Sequence, residues 1–313
     1  MNLPFEISLL IEKLSENYSL PKLKDSAVNI SASYQSEKSS GERIASSPIE
    51  VMSYALSRMP ATFGSVSSAL EHSLPLLVDP IYSLLDIGGG TGSSSLAASL
   101  LISSLKEITV IEREEEMIKL SKEILRFQNV NYIQQDATLK FDNKADLVCE
   151  SYFLNELKED QIFKEIDNIY DASNKYLLLV EPGTPKSYER MMKIRTYLIN
   201  KGAYLVGPCS HMGDCPLKND WCNFVTRVNR TKIHKQLKEG SSPYEDEKFF
   251  YLFFAKTPQK PNKNRIIRHP IINSGFIDLK LCTKNEDIEV MRISKSQKDE
   301  YKKAKKSQVG DEI

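Results

Sequence analysis

The sequence predicts an α/β protein in which helices cover both faces of a parallel sheet, and three observations carry that expectation. From residue 82 onward, short apolar runs alternate with segments of helical period. The first run, 84–87, leads into Gly88-Gly89-Gly90-Thr91-Gly92 and a helix of small residues. Hydrophobic residues make up 41% of 313, enough for a sizeable core, and the length suits one α/β domain with extensions.

Taken in order, residues up to about 80 should be helical. Ser47-Pro48 has the form of an N-cap followed by proline at the first helical position. The stretch 49–77 should continue as helix, broken at Pro60 and near Gly64. Strands are expected at 83–87, 108–111, 130–135, 145–149 and 176–180. Helices are expected at 92–105, 114–127, 156–170 and 187–200. Residues 203–206 and 249–255 supply a sixth and a seventh strand, and 207–248 between them reads as a long insertion. A Pro/Lys/Asn linker after Lys256 leads to a β-rich piece around 276–293, and the charged tail from Ser294 should be mobile. This divides the chain into an N-terminal helical region (1–80), a sheet domain (81–258) with the long insertion at 207–248, and a C-terminal β extension with a basic tail (259–313).

Lys plus Arg and Asp plus Glu both total 42, so no global field draws the protein to nucleic acid, and any RNA contact must come from local basic patches. No run is long and apolar enough to span a bilayer. Residues 1–14 contain Glu6 and Glu12 and lack a basic lead-in, so they read as a helix of the fold, not a signal or transit peptide. A cytoplasmic location without membrane partners is the expectation. Five cysteines, an odd number, argue against a disulfide framework.

The glycine turn lets the backbone approach a ligand closely, and the helix after it presents free N–H groups. A dinucleotide is the competing ligand, but three details favour S-adenosylmethionine. Asp86 precedes the glycines, Glu112 ends the next strand where it can accept from a ribose diol, and Asp136-Ala137 ends the third strand where an adenine would lie. The fold class expected is therefore the Rossmann-like class I S-adenosylmethionine methyltransferase. Asp86, Gly88, Gly90, Gly92, Glu112, Asp136, Ala137 and, at the end of the fourth strand, Glu150 are the expected cofactor residues. No catalytic residue emerges. The Asn/Asp-Pro-Pro-aromatic signature of amino-group methylation is absent, and no cysteine lies in a cytosine-methylating motif. Asn155 reads as a cap for the next helix, Tyr152 as packing, and Cys149 as a buried, inert thiol.

Cys209, Cys215 and Cys222 crowd together, with five and six residues between them. Gly213 and the neighbouring prolines would let the loop fold around a metal, and the spacing leaves zinc and iron–sulfur both open. A closed site needs a fourth ligand, His211 or Cys282; on a strand Cys282 points away from the Leu281 side and could leave the core. The chain after Cys222 reads as a helix to about Lys238 with Gly240 as its stop. That helix would align Arg227, Arg230, His234 and Lys238 on one face, as a phosphate-contacting stripe or a solvated face. Basic residues recur in 256–268 and 295–306.

These stretches resemble the Rsm-twenty-two family of small-ribosomal-subunit, methyltransferase-like proteins, mitochondrial and bacterial, in its bacterial form. The matching residues are 54–62 (Tyr54 to Thr62), 85–92, Val180-Glu181-Pro182-Gly183-Thr184-Pro185, 208–222, 244–249 and Leu281-Cys282-Thr283. The Pro-Cys…Cys-Pro…Asp-Trp-Cys block is the most specific. The resemblance implies a class I methyltransferase fold, action in assembly of the small ribosomal subunit with its rRNA or precursor, and a [4Fe-4S] cluster. Its ligands here would be Cys209, Cys215, Cys222 and Cys282. Two other functions stand beside this one: an active rRNA or ribosomal-protein methyltransferase, and a zinc-stabilised S-adenosylmethionine-binding protein with another partner.

Overall fold

A computed structural model describes residues 1–35, 45–238, 241–260 and 263–313. Four helices come first: α1 (Phe5–Ser15), α2 (Leu20–Gln35), α3 (Pro48–Ser57) and α4 (Met59–Ser73). Ser47 and Glu50 form a capping box at α3, the Ser47 N–H donating to Glu50 Oε2 at 2.9 Å and the Glu50 N–H to Ser47 Oγ at 3.4 Å. The break expected at Pro60 falls at Arg58, and Pro60 sits in the first turn of α4, where a missing N–H costs nothing. Gly64 does not interrupt α4. A Cβ there would stand 3.1 Å from the Thr226 side chain, so its bareness serves close helix-on-strand packing.

The alternating part follows as β1 (Ser83–Ile87), α5 (Ser93–Leu101), β2 (Glu107–Glu112), α6 (Glu115–Ile124), β3 (Val130–Gln134), β4 (Ala145–Ser151), α7 (Glu159–Ala172), β5 (Ser173–Pro182), α8 (Pro185–Asn200) and β6 (Tyr204–Gly207). Then come β7 (Phe224–Asn229), the short α9 (Lys232–Leu237) and β8 (Tyr244–Ala255). Among the described residues the main sheet has eight strands in the order β3-β2-β1-β4-β5-β8-β6, with β7 also on β8. The sheet is mixed, because β8 runs antiparallel to β5, β6 and β7. This order with one reversed strand near the edge is that of the class I S-adenosylmethionine methyltransferases. Tyr176 to Val180 and Phe249 to Ala255 are buried throughout, as expected of strands covered on both faces. The N-terminal helices share one hydrophobic core with this sheet.

Two expectations fail here. The chain after Cys222 starts as a strand, since Phe224, Thr226 and Val228 face inward in alternation with Val225, Arg227 and Asn229, and of the helix expected to about Lys238 only α9 is helical. The Gly240 stop lies outside the described residues. The tail from Ser294 is folded. A second sheet, β9 (Arg265–Ile266), β10 (Ile271–Ile272), β11 (Phe276–Cys282) and β12 (Ile288–Ser294), has its own small core. Helix α10 (Lys298–Lys306) contributes the fully buried Ala304 to that core, and the Gly310 N–H donates to Ile266 O at 2.8 Å. Among the described residues no helix is long and apolar enough to cross a membrane.

Candidate functional site: a glycine-lined cleft and a four-thiol loop

The strand ends of β1, β2, β3 and β4 meet at an open cleft lined by Gly88, Gly90, Glu112, Asp136 and Ala137 among others. Gly88, Gly90 and Gly92 all have left-handed backbones, φ +62°, +52° and +84°. A Cβ on Gly90 would meet nothing nearer than Gly88 O at 3.9 Å, so this backbone lies bare toward the cleft. Of the expected cofactor residues, Gly88, Gly90, Glu112, Asp136 and Ala137 line the cleft.

Asp86, Gly92 and Glu150 stand behind it and hold its walls. Asp86 is fully buried and accepts from the Ser95 N–H at 3.1 Å and from Ser95 Oγ at 2.6 Å, which fixes the start of α5 on β1. Burial pushes its carboxyl up to about 7, against the Ser95 hydrogen bonds, and its Oδ1 has no partner among the described residues. Glu150 accepts from the N–H groups of Phe153 (2.7 Å) and Leu154 (3.0 Å) and so shapes the loop after β4; burial pushes its carboxyl up.

Glu112 accepts from the Gly90 N–H and the Glu114 N–H, each at 2.8 Å, which leaves lone pairs on both oxygens for a diol. Asp136 accepts from Thr138 N–H and Oγ1 at 2.9 and 2.7 Å. Burial pushes its carboxyl up, but these bonds and Arg113 outweigh it and leave it below the ordinary value. The cleft also has walls that pattern reading missed, Ala45 and Tyr54 from the N-terminal region and Arg113, and it takes in Ser151 at the end of β4 with Phe153 and Glu156 beyond it, the stretch that in methyltransferases faces the methyl acceptor. Burial pushes Glu156 up to about 8. Tyr152 is buried, as expected, while Asn155 caps nothing: its Oδ1 accepts from Arg190 at 3.4 Å, and Lys158 precedes α7. The end of β4 itself was the signal for the last of these walls, while Ala45, Tyr54 and Arg113 lie far from it in sequence and carried none.

The cysteine loop lies beyond β6. Cys209, Cys215, Cys222 and Cys282 are free thiols brought together, whereas Cys149 is buried in β4. Burial pushes Cys222 well up, and Cys209, Cys282 and Cys215 raise it further; Cys282 is pushed up to about 11 by burial and then by Cys209 and Cys215. Tyr188 on α8 places its OH 3.0 Å from Cys215 Sγ. Arg195, 2% exposed, donates to His211 O at 2.9 Å and Gly213 O at 2.8 Å, and among the described residues no carboxylate pairs with it. Arg265 donates to Pro208 O at 2.9 Å and pairs with Glu312; Arg268 pairs with Asp220. Among the described residues no three His, Cys, Asp or Glu side chains converge closely enough to grip a single metal ion.

The four cations expected as a stripe are not one helical face. Arg227, on β7, pairs with Asp246 at 2.8 Å and covers the Tyr244 ring at 3.9 Å. Arg230, His234 and Lys238 converge on Glu245 at 2.7, 3.5 and 2.9 Å. Burial would push Glu245 up, but those three neighbours outweigh it and hold its carboxyl far below the ordinary range.

The profile of the family described as mitochondrial small ribosomal subunit Rsm22 matches residues 48–313. The Rsm22-cox11 tandem protein 2, mitochondrial, of Schizosaccharomyces pombe is 22% identical over 322 residues, covering 84% of this chain and 43% of that protein. The ubiquinone/menaquinone biosynthesis C-methyltransferase UbiE of Shewanella sediminis is 28% identical over 137 residues, 42% of this chain and 51% of that enzyme. The chain thus spans about half or less of these relatives. Among solved structures, the N-methyltransferase NodS of Bradyrhizobium japonicum, in complex with S-adenosyl-L-homocysteine, has a TM-score of 0.44 and 14% identity, covering 74% of this chain and 100% of that one. The family match takes in the cleft, the cysteine loop and the C-terminal extension alike, and the chain belongs to the Rsm22 family.

Proposed function

We propose that the protein is an S-adenosylmethionine-binding, iron–sulfur, methyltransferase-like factor that acts in assembly and translation of the small ribosomal subunit, in the cytoplasm. The observation that carries the reading is that one fold holds both a bare-backbone cleft beneath Gly90 and a group of four thiols of which Cys209 lies beside Arg195, a buried guanidinium that pairs with no carboxylate among the described residues. A buried cation needs a compensating charge, and thiolates in a metal site would supply it. The cluster is what the family resemblance implies, and the four thiols leave zinc open beside it. Cys209, Cys215, Cys222 and Cys282 would hold it, and Cys282 would tie the C-terminal sheet to the loop.

Gly88, Gly90, Glu112, Asp136 and Ala137 would hold S-adenosylmethionine, whose sulfonium supplies an activated methyl group. The divisions 1–80, 81–258 and 259–313 would then be a cofactor cover, the two-site domain and a docking extension. Phosphate contact falls first to the exposed lysines of α10, with Arg227 in an exposed pair with Asp246 that a phosphate could displace, because Arg230, His234 and Lys238 are held together at the partly buried Glu245. A second reading, an active rRNA or ribosomal-protein methyltransferase, is favoured by Glu156: a carboxyl at about 8 on the cleft wall can exchange a proton near neutral pH.

Anaerobic purification with absorbance, iron, sulfide and zinc analysis, together with calorimetry of S-adenosylhomocysteine, tests both sites. Brown protein with iron and labile sulfide, and saturable binding, are expected. Stoichiometric zinc without iron would reject the cluster and favour the zinc-stabilised alternative, and no binding would reject the cofactor.

A further inference from the structure

At the cleft, one residue holds a backbone conformation that its side chain disfavours. Tyr152 has φ +62°, in the left-handed region that a bulky aromatic rarely occupies. Such strain persists only where the surroundings over-determine it, and it gathers at ligand sites. The Tyr152 N–H donates to Val180 O at 2.8 Å. Its phenol lies 3.1 Å from Ser65 Oγ and donates to Glu247 Oε1 at 3.2 Å, and Glu247 in turn accepts from Arg58 at 3.3 Å. These partners come from the end of α3, from α4 and from β8, none of them the element that carries Tyr152.

On either side, the chain faces the cleft. Ser151 and Phe153 line it, and Tyr152 between them, though buried, also borders it. Ser151 Oγ stands 2.7 Å from Ser94 Oγ at the start of α5, and Phe153 packs 3.1 Å from where Gly88 would carry a Cβ. An extended backbone at Tyr152 would swing Phe153 off Gly88, because each change of one φ redirects everything after it.

We propose that Tyr152 is a positioning residue for the cofactor: its phenol, clamped by Ser65 and the Arg58–Glu247 pair, holds the left-handed turn that keeps Ser151 and Phe153 on the wall of the cleft. The inference rests on the S-adenosylmethionine reading of that cleft. It also explains why a tyrosine stands where glycine would be unstrained: glycine supplies the turn but no handle. Through this clamp α3, α4 and β8 join in shaping the cofactor site.

The test is calorimetric affinity for S-adenosylhomocysteine, with a melting temperature for each variant. Tyr152→Phe and Glu247→Ala should each weaken binding about 5–10-fold, the effect of one lost hydrogen bond. The double variant should bind no worse than either single one, because both cut the same link. Glu247→Gln keeps an acceptor and should bind like wild type. Tyr152→Gly folds without backbone strain, lacks the clamp, and should bind at least as weakly as Tyr152→Phe. Wild-type affinity in Tyr152→Phe and Glu247→Ala, with or without a fall in melting temperature, would overturn the proposal and leave Tyr152 a packing residue. Failure of the wild type to bind would instead reject the cofactor reading, and the clamp with it.

Discussion

Gly90 presents its backbone to the cleft at φ +52°, so any side chain there would project into the space a cofactor needs. Asparagine tolerates the left-handed region better than other non-glycine residues. Gly90→Asn should therefore fold and lose S-adenosylhomocysteine affinity at least about 10-fold, while Gly90→Val, β-branched, should lose binding and stability together. Calorimetry paired with thermal melting separates the two, and unchanged affinity in Gly90→Asn would remove the cleft from consideration. Asp86 gives a pH test. Its carboxyl is held at about 7 in the folded protein against 3.8 as its ordinary value, through burial first. A raised folded value means that the native state binds the proton more tightly, so its contribution is full below about pH 4 and fades as pH rises through 7. Three units correspond to about 4 kcal/mol. The cofactor-free protein should melt progressively lower between pH 4 and 8, and Asp86→Asn, which can still present an oxygen to Ser95, should flatten that slope. Parallel profiles for the two proteins would show that Asp86 does not titrate in this window.

The cysteine loop is an element whose order depends on what it encloses. It has little regular structure between β6 and β7, and its backbone is held by Arg195, Arg265 and Arg268 from outside. Binding of a metal group would therefore be coupled to its folding. Serine at any of Cys209, Cys215, Cys222 or Cys282 should remove most of the iron and lower the melting temperature by about 5 °C, the shift that a loss on the order of 2 kcal/mol produces in a domain of this size. Cys149→Ser should keep the metal. Full iron in Cys282→Ser would hand the fourth position to another residue. The contrast between what was legible and what was not runs along the same segment. The glycine loop could be read because its signal is local: a strand, a tight turn and a helix start within about ten residues. The proposed partnership of Cys282 with the other thiols spans two sheets; strand alternation made Cys282 a candidate beside His211, and only the resemblance chose between them. Residues 224–229 show two periods competing. The cations at 227, 230, 234 and 238 suggested 3.6, while Phe224, Thr226 and Val228 carried the period of two, and burial against α4 and the core decided it. The reversed direction of β8 is a property of the whole sheet and leaves no mark in its own residues.

At the scale of the whole molecule, zero net charge conceals a division. Residues 263–313 hold twelve Lys and Arg against eight Asp and Glu, so the rest of the chain is the acidic part. Lys303, Lys305 and Lys306 end α10 exposed, at the helix terminus that favours cations, while Ala304 anchors the helix to its sheet. These lysines sit on the extension that Cys282 would tie to the cysteine loop, and Ser210 Oγ already donates to Cys282 O at 2.9 Å across that junction. The polyanion contact should follow the extension and depend on the junction. Co-sedimentation with small ribosomal subunits across a salt series should show wild-type binding that falls as salt rises. Lys303→Glu, Lys305→Glu and Lys306→Glu combined should flatten the log–log slope by about three units, one for each lost phosphate contact. Arg227→Glu with Arg230→Glu should flatten it by about one, since Arg227 is exposed and Arg230 is held at Glu245. Cys222→Ser should weaken binding without touching a cation, by loosening the frame that presents α10. If the triple lysine variant and Cys222→Ser sediment like wild type at every salt concentration, the extension is not the docking surface, and the cation at Arg227 becomes the contact to pursue.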